Sequence, residues 1–154
     1  MIPITALVLI SMASPADAKP NFTGKWVLDK EKSDFGGYPV PDTRIELIEH
    51  EEPHLKQTQT QKGKAVPGGE QITERHYTTD GKENVNKIGP SNVKSTSKWE
   101  GRKLVTVAEA QTPNGPLKIT DVWELADGGK QMIMSRIFKN ADGERNQKRV
   151  FQKH

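Results

Sequence analysis

The chain has 154 residues, a formal net charge of +3 and no cysteine, so it offers enough length for one domain and no disulfide or thiol chemistry. Its lysines and arginines are scattered among acidic, threonine and glutamine residues instead of forming a basic stripe, and we therefore expect no nucleic-acid partner. Hydrophobic residues make up only 32% of the chain, which is typical of a sheet with one solvated face.

Residues 1–18 have the features of a secretory signal peptide. An apolar run over residues 2–13 is followed by Ala16-Asp17-Ala18, which matches an A-x-A cleavage site, although no basic residue precedes the run. The run is too short to span a bilayer. We expect cleavage after Ala18, export to the periplasm or the medium, and no membrane span in the mature chain; the alternative is a disordered apolar tail.

Residues 19–154 are predicted to form one all-β domain. From Gly24 onward apolar residues recur at period two, and turn signals such as Asp80-Gly81 and Asn114-Gly115 supply the positive φ angles of tight hairpins. Because closure removes unpaired edges, we predict a single antiparallel up-and-down meander barrel of eight to ten strands with no substantial helix. The predicted strands cover residues 23–29, 43–51, 54–61, 71–79, 83–87, 92–100, 103–112, 117–126, 131–139 and 146–152.

Several predicted strands lack a purely apolar face. Gln57 shares a face with Leu55, and Asp121 shares a face with Ile119 and Trp123. Inward polar groups are costly unless they are paired or hydrated. A water-containing cavity would explain them, and a different strand register is the alternative.

The opening Phe22-Thr23-Gly24-Lys25-Trp26-Val27-Leu28 resembles the first strand of lipocalins and fatty-acid-binding proteins, the calycin superfamily. The segment Lys148-Arg149-Val150-Phe151-Gln152-Lys153 resembles their last strand, in which an arginine packs over the tryptophan of the first strand. The resemblance implies a calycin-like barrel whose floor is closed by Gly24, Trp26 and Arg149. Residues 97–104 and 119–125 are also similar to exported bacterial lipocalin-like proteins.

The chain departs from these families in three places. The link after the first strand is too short for the helix-turn-helix lid of fatty-acid-binding proteins, and there is no C-terminal helix as in lipocalins. The carboxylate-binding Arg-x-Tyr of fatty-acid-binding proteins reads Arg149-x-Phe151 here. The resemblance therefore carries over a barrel but no ligand.

One segment, His50-Glu51-Glu52-Pro53-His54, matches the H-E-x-x-H pattern of zinc proteases. That pattern needs a helix to place both histidines on one side of the metal, and Pro53 would break such a helix, so we predict a hairpin turn. The sequence contains no serine elbow, phosphate loop or distinct acid–base pair of carboxylates. We therefore predict no catalytic residues, no metal, no cofactor and no enzymatic activity.

These patterns predict a monomeric lipocalin-like barrel that binds a small, partly apolar or amphipathic molecule in its lumen. One alternative is a solid-cored structural or interaction module without a ligand, which would use its surface or the loop over residues 35–41. Another is an enzyme built on the same barrel. The candidate lumen residues are Leu47, Leu55, Gln57, Ile72, Leu104, Ile119, Trp123 and Met134.

Overall fold

The structure is a computed structural model that describes residues 18–154. These residues form ten β-strands and one short 3-10 turn, Asp127–Gly129, and contain no α-helix, which confirms the predicted all-β class. The predicted signal peptide lies outside the described residues except for Ala18, so cleavage and export stay predictions. The strands are β1 (Gly24–Leu28), β2 (Thr43–Glu51), β3 (His54–Lys62), β4 (Glu70–Thr78), β5 (Asp80–Ile88), β6 (Ser91–Glu100), β7 (Lys103–Thr112), β8 (Gly115–Ala126), β9 (Gln131–Asn140) and β10 (Gly143–Lys153).

All ten strands belong to one antiparallel sheet in the order β4-β3-β2-β1-β10-β9-β8-β7-β6-β5. Strand β1 pairs with β2 on one side and with β10 on the other, so the first and last strands lie side by side. The sheet therefore curls into a nearly closed meander barrel, as predicted, and its two ends are β4 and β5.

Two asparagines bridge the seam between β4 and β5. The Asn86 Oδ1 accepts the backbone N–H of His76 at 2.8 Å, and its Nδ2 donates to the backbone oxygen of the same residue at 2.9 Å. The Asn84 Oδ1 accepts the backbone N–H of Thr78 at 2.8 Å. Side-chain amides thus supply the hydrogen bonds that a backbone ladder supplies elsewhere in the barrel.

Strand alternation places charged side chains inside the barrel on β2. Arg44, Glu46 and Ile48 are buried, whereas Ile45 is half-buried and Leu47 is exposed. Since successive side chains of a strand point to opposite faces, the inner face of β2 is the partly charged one.

The same alternation corrects two of the predicted lumen residues. Leu47 on β2 is 48% exposed and Ile72 on β4 is 64% exposed, so both point to solvent. The inward positions beside Ile72 belong to Thr73 and, further along β4, to Tyr77. Apolar character was the wrong guide on β2, because its inward Glu46 is paired with Arg44 and with Gln57 of the adjacent strand.

An aromatic cluster fills one end of the barrel, which we call the closed end. The Phe22 ring is fully buried, stacks on His50 and Trp99 at centroid distances of 5.8 and 6.0 Å, and meets Trp123 edge-on at 5.8 Å. The Trp26 Nε1 donates to the backbone oxygen of Phe22 at 2.8 Å. The segment before β1 therefore plugs this end.

A lysine packs over the first-strand tryptophan at the barrel floor. The Lys153 Nζ lies over the Trp26 ring, 5.4 Å from its centroid. Gly24 has a φ of +152°, and a Cβ at this position would come within 2.9 Å of the Lys153 Cε. The Arg149 guanidinium contacts Asp121 and Met134, and closure of the floor by Gly24, Trp26 and Arg149 stays a prediction.

The link over residues 29–42 covers part of the opposite end, which we call the loop end. Its Asp34 forms an isolated bridge with Lys148 of β10. Phe35 is buried, and its backbone oxygen accepts the Gln147 Nε2 at 3.1 Å. Gly36 follows with a φ of +61°, where any side chain would collide with the backbone of β10.

Candidate functional site

Five charged residues face one another across the middle of the barrel, between the closed end and the loop end. They come from four strands, β2, β8, β9 and β10, and strand alternation turns each of them inward. We call this set the interior charge cluster. Its members are Arg44, Glu46, Asp121, Arg136 and Arg149.

Asp121 is held by two arginines. The Arg136 Nε and Nη2 donate to its two carboxylate oxygens, both at 2.7 Å, in the parallel arrangement that gives strong charge-assisted hydrogen bonds. The Arg149 Nη2 donates to Oδ1 of the same carboxylate at 3.3 Å and approaches the Met134 sulfur at 3.1 Å. Asp121 is therefore a shared counter-ion at the border between charged and apolar groups.

Glu46 forms the second half of the cluster and is fully buried. Its Oε1 accepts the Arg44 Nε at 2.7 Å, and its Oε2 accepts the Gln57 Nε2 at 2.9 Å. Gln57 and Asp121, the inward polar residues that the sequence could not explain, are thus each paired with charged side chains of the interior.

The ionisation of the cluster follows from burial and neighbouring charges. Burial would raise the pKa of Asp121, but the guanidinium groups of Arg136, Arg149 and Arg44 together outweigh burial, and the pKa lies below its ordinary value. Burial, reinforced by Arg136 and Arg44, lowers the pKa of Arg149 well below its ordinary value. A guanidinium nevertheless keeps its charge at neutral pH. Folding therefore disfavours the charge of Arg149 and favours that of Asp121.

The cluster contains three guanidinium groups and two carboxylates, which leaves a surplus of one positive charge. Arg149 is only 1% exposed, and its Nε has no hydrogen-bond partner within residues 18–154. The Trp123 Nε1 is also buried without a partner among these residues. Such groups are costly to bury, so the surplus is unfavourable for folding alone.

Tyr77 borders the cluster from β4. Its ring meets Trp123 edge-on at a centroid distance of 6.1 Å. Burial raises the pKa of Tyr77 to about 12, so its phenol is neutral at neutral pH.

The interior is accessible from the loop end. Ala108, Ala110, Ile119 and Phe138 occupy inward positions yet are only half-buried. The Arg136 side chain is 22% exposed. The interior charge cluster is therefore partly exposed to solvent through Arg136.

Six of the eight predicted lumen residues face the interior, and contact with a ligand stays a prediction for all six. Sequence reasoning missed Arg44, Glu46 and Arg136. The available signal was that Arg44 and Glu46 share every second position of β2 with the apolar Ile48. The six inward residues are Leu55, Gln57, Leu104, Ile119, Trp123 and Met134.

A cavity of about 1000 Å³ lies at the loop end of β5 to β9. Its lining includes the inward positions Ser95, Ala110 and Leu117 as well as the outward positions Lys94 and Glu109.

The zinc-protease-like segment forms a hairpin turn between β2 and β3, which confirms the interpretation of Pro53. The His50 Nδ1 accepts the backbone N–H of Phe22 at 3.1 Å, and the His50 Nε2 bonds the Glu52 carboxylate at 2.6 Å. Within residues 18–154 no three histidine or acidic side chains are grouped as a metal site would require. No helix in this part of the chain is long and apolar enough to cross a membrane.

Comparison with known proteins identifies the fold. No protein-family profile matches the sequence, and no curated protein does. Solved structures do match. A zebrafish ileal bile acid-binding protein complexed with cholic acid shares 18% identity over 86% of this chain and 98% of its own, with a TM-score of 0.62. The fold is that of the calycin barrels.

Two further structures support the same fold. A secretory abundant heat soluble protein from Ramazzottius varieornatus shares 16% identity over 92% of this chain and 100% of its own, with a TM-score of 0.64. A mutant of the fatty acid transporter REP1-NXSQ shares 19% identity over 86% of this chain and 98% of its own, with a TM-score of 0.56. The bile acid-binding protein and the transporter are named for binding or transport, not for catalysis.

Proposed function

We propose that this calycin-like barrel binds, in its interior, a small amphipathic molecule that carries one negative charge, and that it catalyses no reaction. The observation that carries the proposal is the surplus positive charge of the interior charge cluster, buried beside apolar side chains. A buried charge without a counter-ion is costly, and an anionic ligand would remove that cost.

The arrangement of side chains defines how such a molecule would lie. Its acidic group would accept hydrogen bonds from the Arg149 Nε, which has no partner within residues 18–154. Its apolar part would extend toward the loop end, between the half-buried Ile119 and Phe138 and the small Ala108. Apolar walls with a few placed polar groups are typical of small-molecule sites.

The solved relatives support this proposal at the level of the fold. One of them binds cholic acid and another is a fatty acid transporter, and both ligands are acidic amphipathic molecules. We extend the proposal to a monomer that acts outside the cytoplasm without a nucleic-acid partner, on the strength of residues 1–18 and the scattered basic residues. N-terminal sequencing of the exported protein should begin at Lys19, and recovery with residues 1–18 attached would contradict export by cleavage.

The binding test compares one anionic and one neutral fluorescent probe of similar size, anilinonaphthalene sulfonate and phenylnaphthylamine. Both should bind saturably to the wild-type protein. Arg149→Met should weaken the anionic probe about tenfold or more, because a hydrogen bond to a charged group is lost, and should leave the neutral probe unchanged.

Lys148→Met is the matched control, because it removes one exposed positive charge from the adjacent position of β10. It should change neither affinity. Native mass spectrometry of the purified protein would show any retained cargo. If neither probe binds saturably and no cargo is retained, the barrel is a solid-cored module and the proposal fails.

A further inference from the structure

Asp121 differs from the other acid of the cluster in the arginines that it contacts. Glu46 is bonded to Arg44 and Gln57, which together satisfy both of its oxygens. Asp121 instead contacts Arg149, which has the unpartnered Nε, and Arg136, which is reachable from the loop end. Asp121 thus supplies the negative charge in the part of the cluster that an anionic ligand would contact.

We propose that Asp121 is the specificity-determining residue of this site, because it holds the buried surplus at one positive charge and so matches the interior to a monoanion in preference to a dianion. This inference rests on the proposed function. A monoanion brings the cluster to three positive and three negative charges. A dianion of the same shape would leave one negative charge buried and unpaired, which is costly.

Two further cations lie at inward positions. Arg75 on β4 is opposite Gln57, and Arg145 on β10 is opposite the inward Phe138. Arg145 is exposed, so solvent screens its charge. Arg75 is half-buried, as Arg136 is, but Arg136 is ion-paired with the buried Asp121 whereas Arg75 is opposite an amide. The charge balance is therefore counted over the five ion-paired groups of the cluster.

Two detergents of equal chain length provide the test, used below their micelle concentrations. Dodecyl sulfate is a monoanion, whereas dodecyl phosphate is a dianion at about pH 8, since the second pKa of a phosphate monoester is about 6. To enter a site that accepts one charge, the phosphate must take up a proton. That proton costs about 100-fold in affinity at about pH 8 and little at about pH 6.

The measurement is displacement of phenylnaphthylamine by each detergent. The wild-type protein should prefer the sulfate by up to about 100-fold at about pH 8. Asp121→Asn keeps the shape of the side chain and raises the surplus to two, so the preference should shrink at least about tenfold. The matched control is Glu124→Gln, which removes an acid from the outer face of the same strand, where it pairs with Lys103 at 3.1 Å. It should keep the wild-type preference.

Each outcome decides the inference. If both detergents bind and Asp121→Asn leaves their ratio unchanged, Asp121 does not set the ligand charge, although the proposed function stands. If neither detergent displaces the probe from any variant, the proposed function itself fails. Should Asp121→Asn lose its near-ultraviolet dichroism, the wild-type protein decides. A preference for the sulfate that narrows from about pH 8 to about pH 6 supports the inference, and a preference that does not change with pH overturns it.

Discussion

The closed end and the interior charge cluster are neighbours in one barrel, but their buried polar groups are hydrogen-bonded to different extents. At the closed end both ring nitrogens of His50 are hydrogen-bonded, and the Trp26 Nε1 donates to the backbone of Phe22. In the cluster the Arg149 Nε is buried without a partner among the described residues. Trp123 lies at the boundary, since its ring packs on Phe22 while its Nε1 also has no partner there.

The difference indicates what each region contributes. Burying aromatic area stabilises the barrel, whereas desolvating charged groups destabilises it unless every group is paired. A region that is fully satisfied needs no ligand, and a region with a surplus charge is more stable with one. Departures from full satisfaction are expected at functional sites, where stability is given up for binding.

The closed end should show the largest effect on stability. Phe22→Ala should lower the free energy of unfolding by about 3–5 kcal/mol, because it removes a fully buried ring from a stacked cluster. Denaturant unfolding followed by tryptophan fluorescence measures it. Val40→Ala, at a site 42% exposed in the loop, should change stability by less than about 0.5 kcal/mol. A loss for Phe22→Ala as small as that control would show that the plug is not part of the core.

Substitutions of two arginines of the cluster should have different effects on stability and on anion binding. Arg136→Met leaves the Asp121 carboxylate without its paired donors and should cost about 3 kcal/mol. Arg149→Met removes the surplus charge while that pair stays intact, so stability should stay the same or rise while anion binding weakens about tenfold or more. Denaturant unfolding of both variants checks this. Equal destabilisation by the two substitutions would mean that Arg149 is a structural residue.

Tyr77 lies between the two regions, and its ionisation should produce a smaller, pH-dependent change in the free energy of unfolding. Its pKa is raised by burial to about 12, whereas an unfolded tyrosine ionises at about pH 10. The phenol therefore contributes stability that is present below about pH 10 and is lost as the pH rises toward 12. Unfolding measured across this range should show a loss of about 2 kcal/mol in the wild type.

The matched variants for this effect are Tyr77→Phe and Tyr38→Phe. Tyr77→Phe cannot ionise and should lack this part of the alkaline loss, whereas Tyr38→Phe, which changes an exposed ring at the loop end, should retain it. An alkaline loss of the same size in Tyr77→Phe and wild type would place its origin elsewhere in the chain.

The architecture was predictable from the sequence because its signals are local. Period-two alternation and dipeptides such as Asn114-Gly115 depend on neighbouring residues, and they gave the meander and its hairpins. The charge cluster was not predictable, because its members lie on four strands and meet only after the barrel closes. Leu47 was predicted to face the interior for the same reason, since without knowledge of the partners of Glu46 an apolar side chain was the natural choice for the interior.

The asparagine seam has a consequence for how the barrel opens. Elsewhere, separating two strands breaks a continuous backbone ladder, but the hydrogen bonds between β4 and β5 break when Asn84 and Asn86 rotate away from Thr78 and His76. Local opening is easiest where few backbone hydrogen bonds are lost. The amide protons of His76 and Thr78 should therefore exchange with solvent by side-chain rotation, long before the rest of the sheet unfolds.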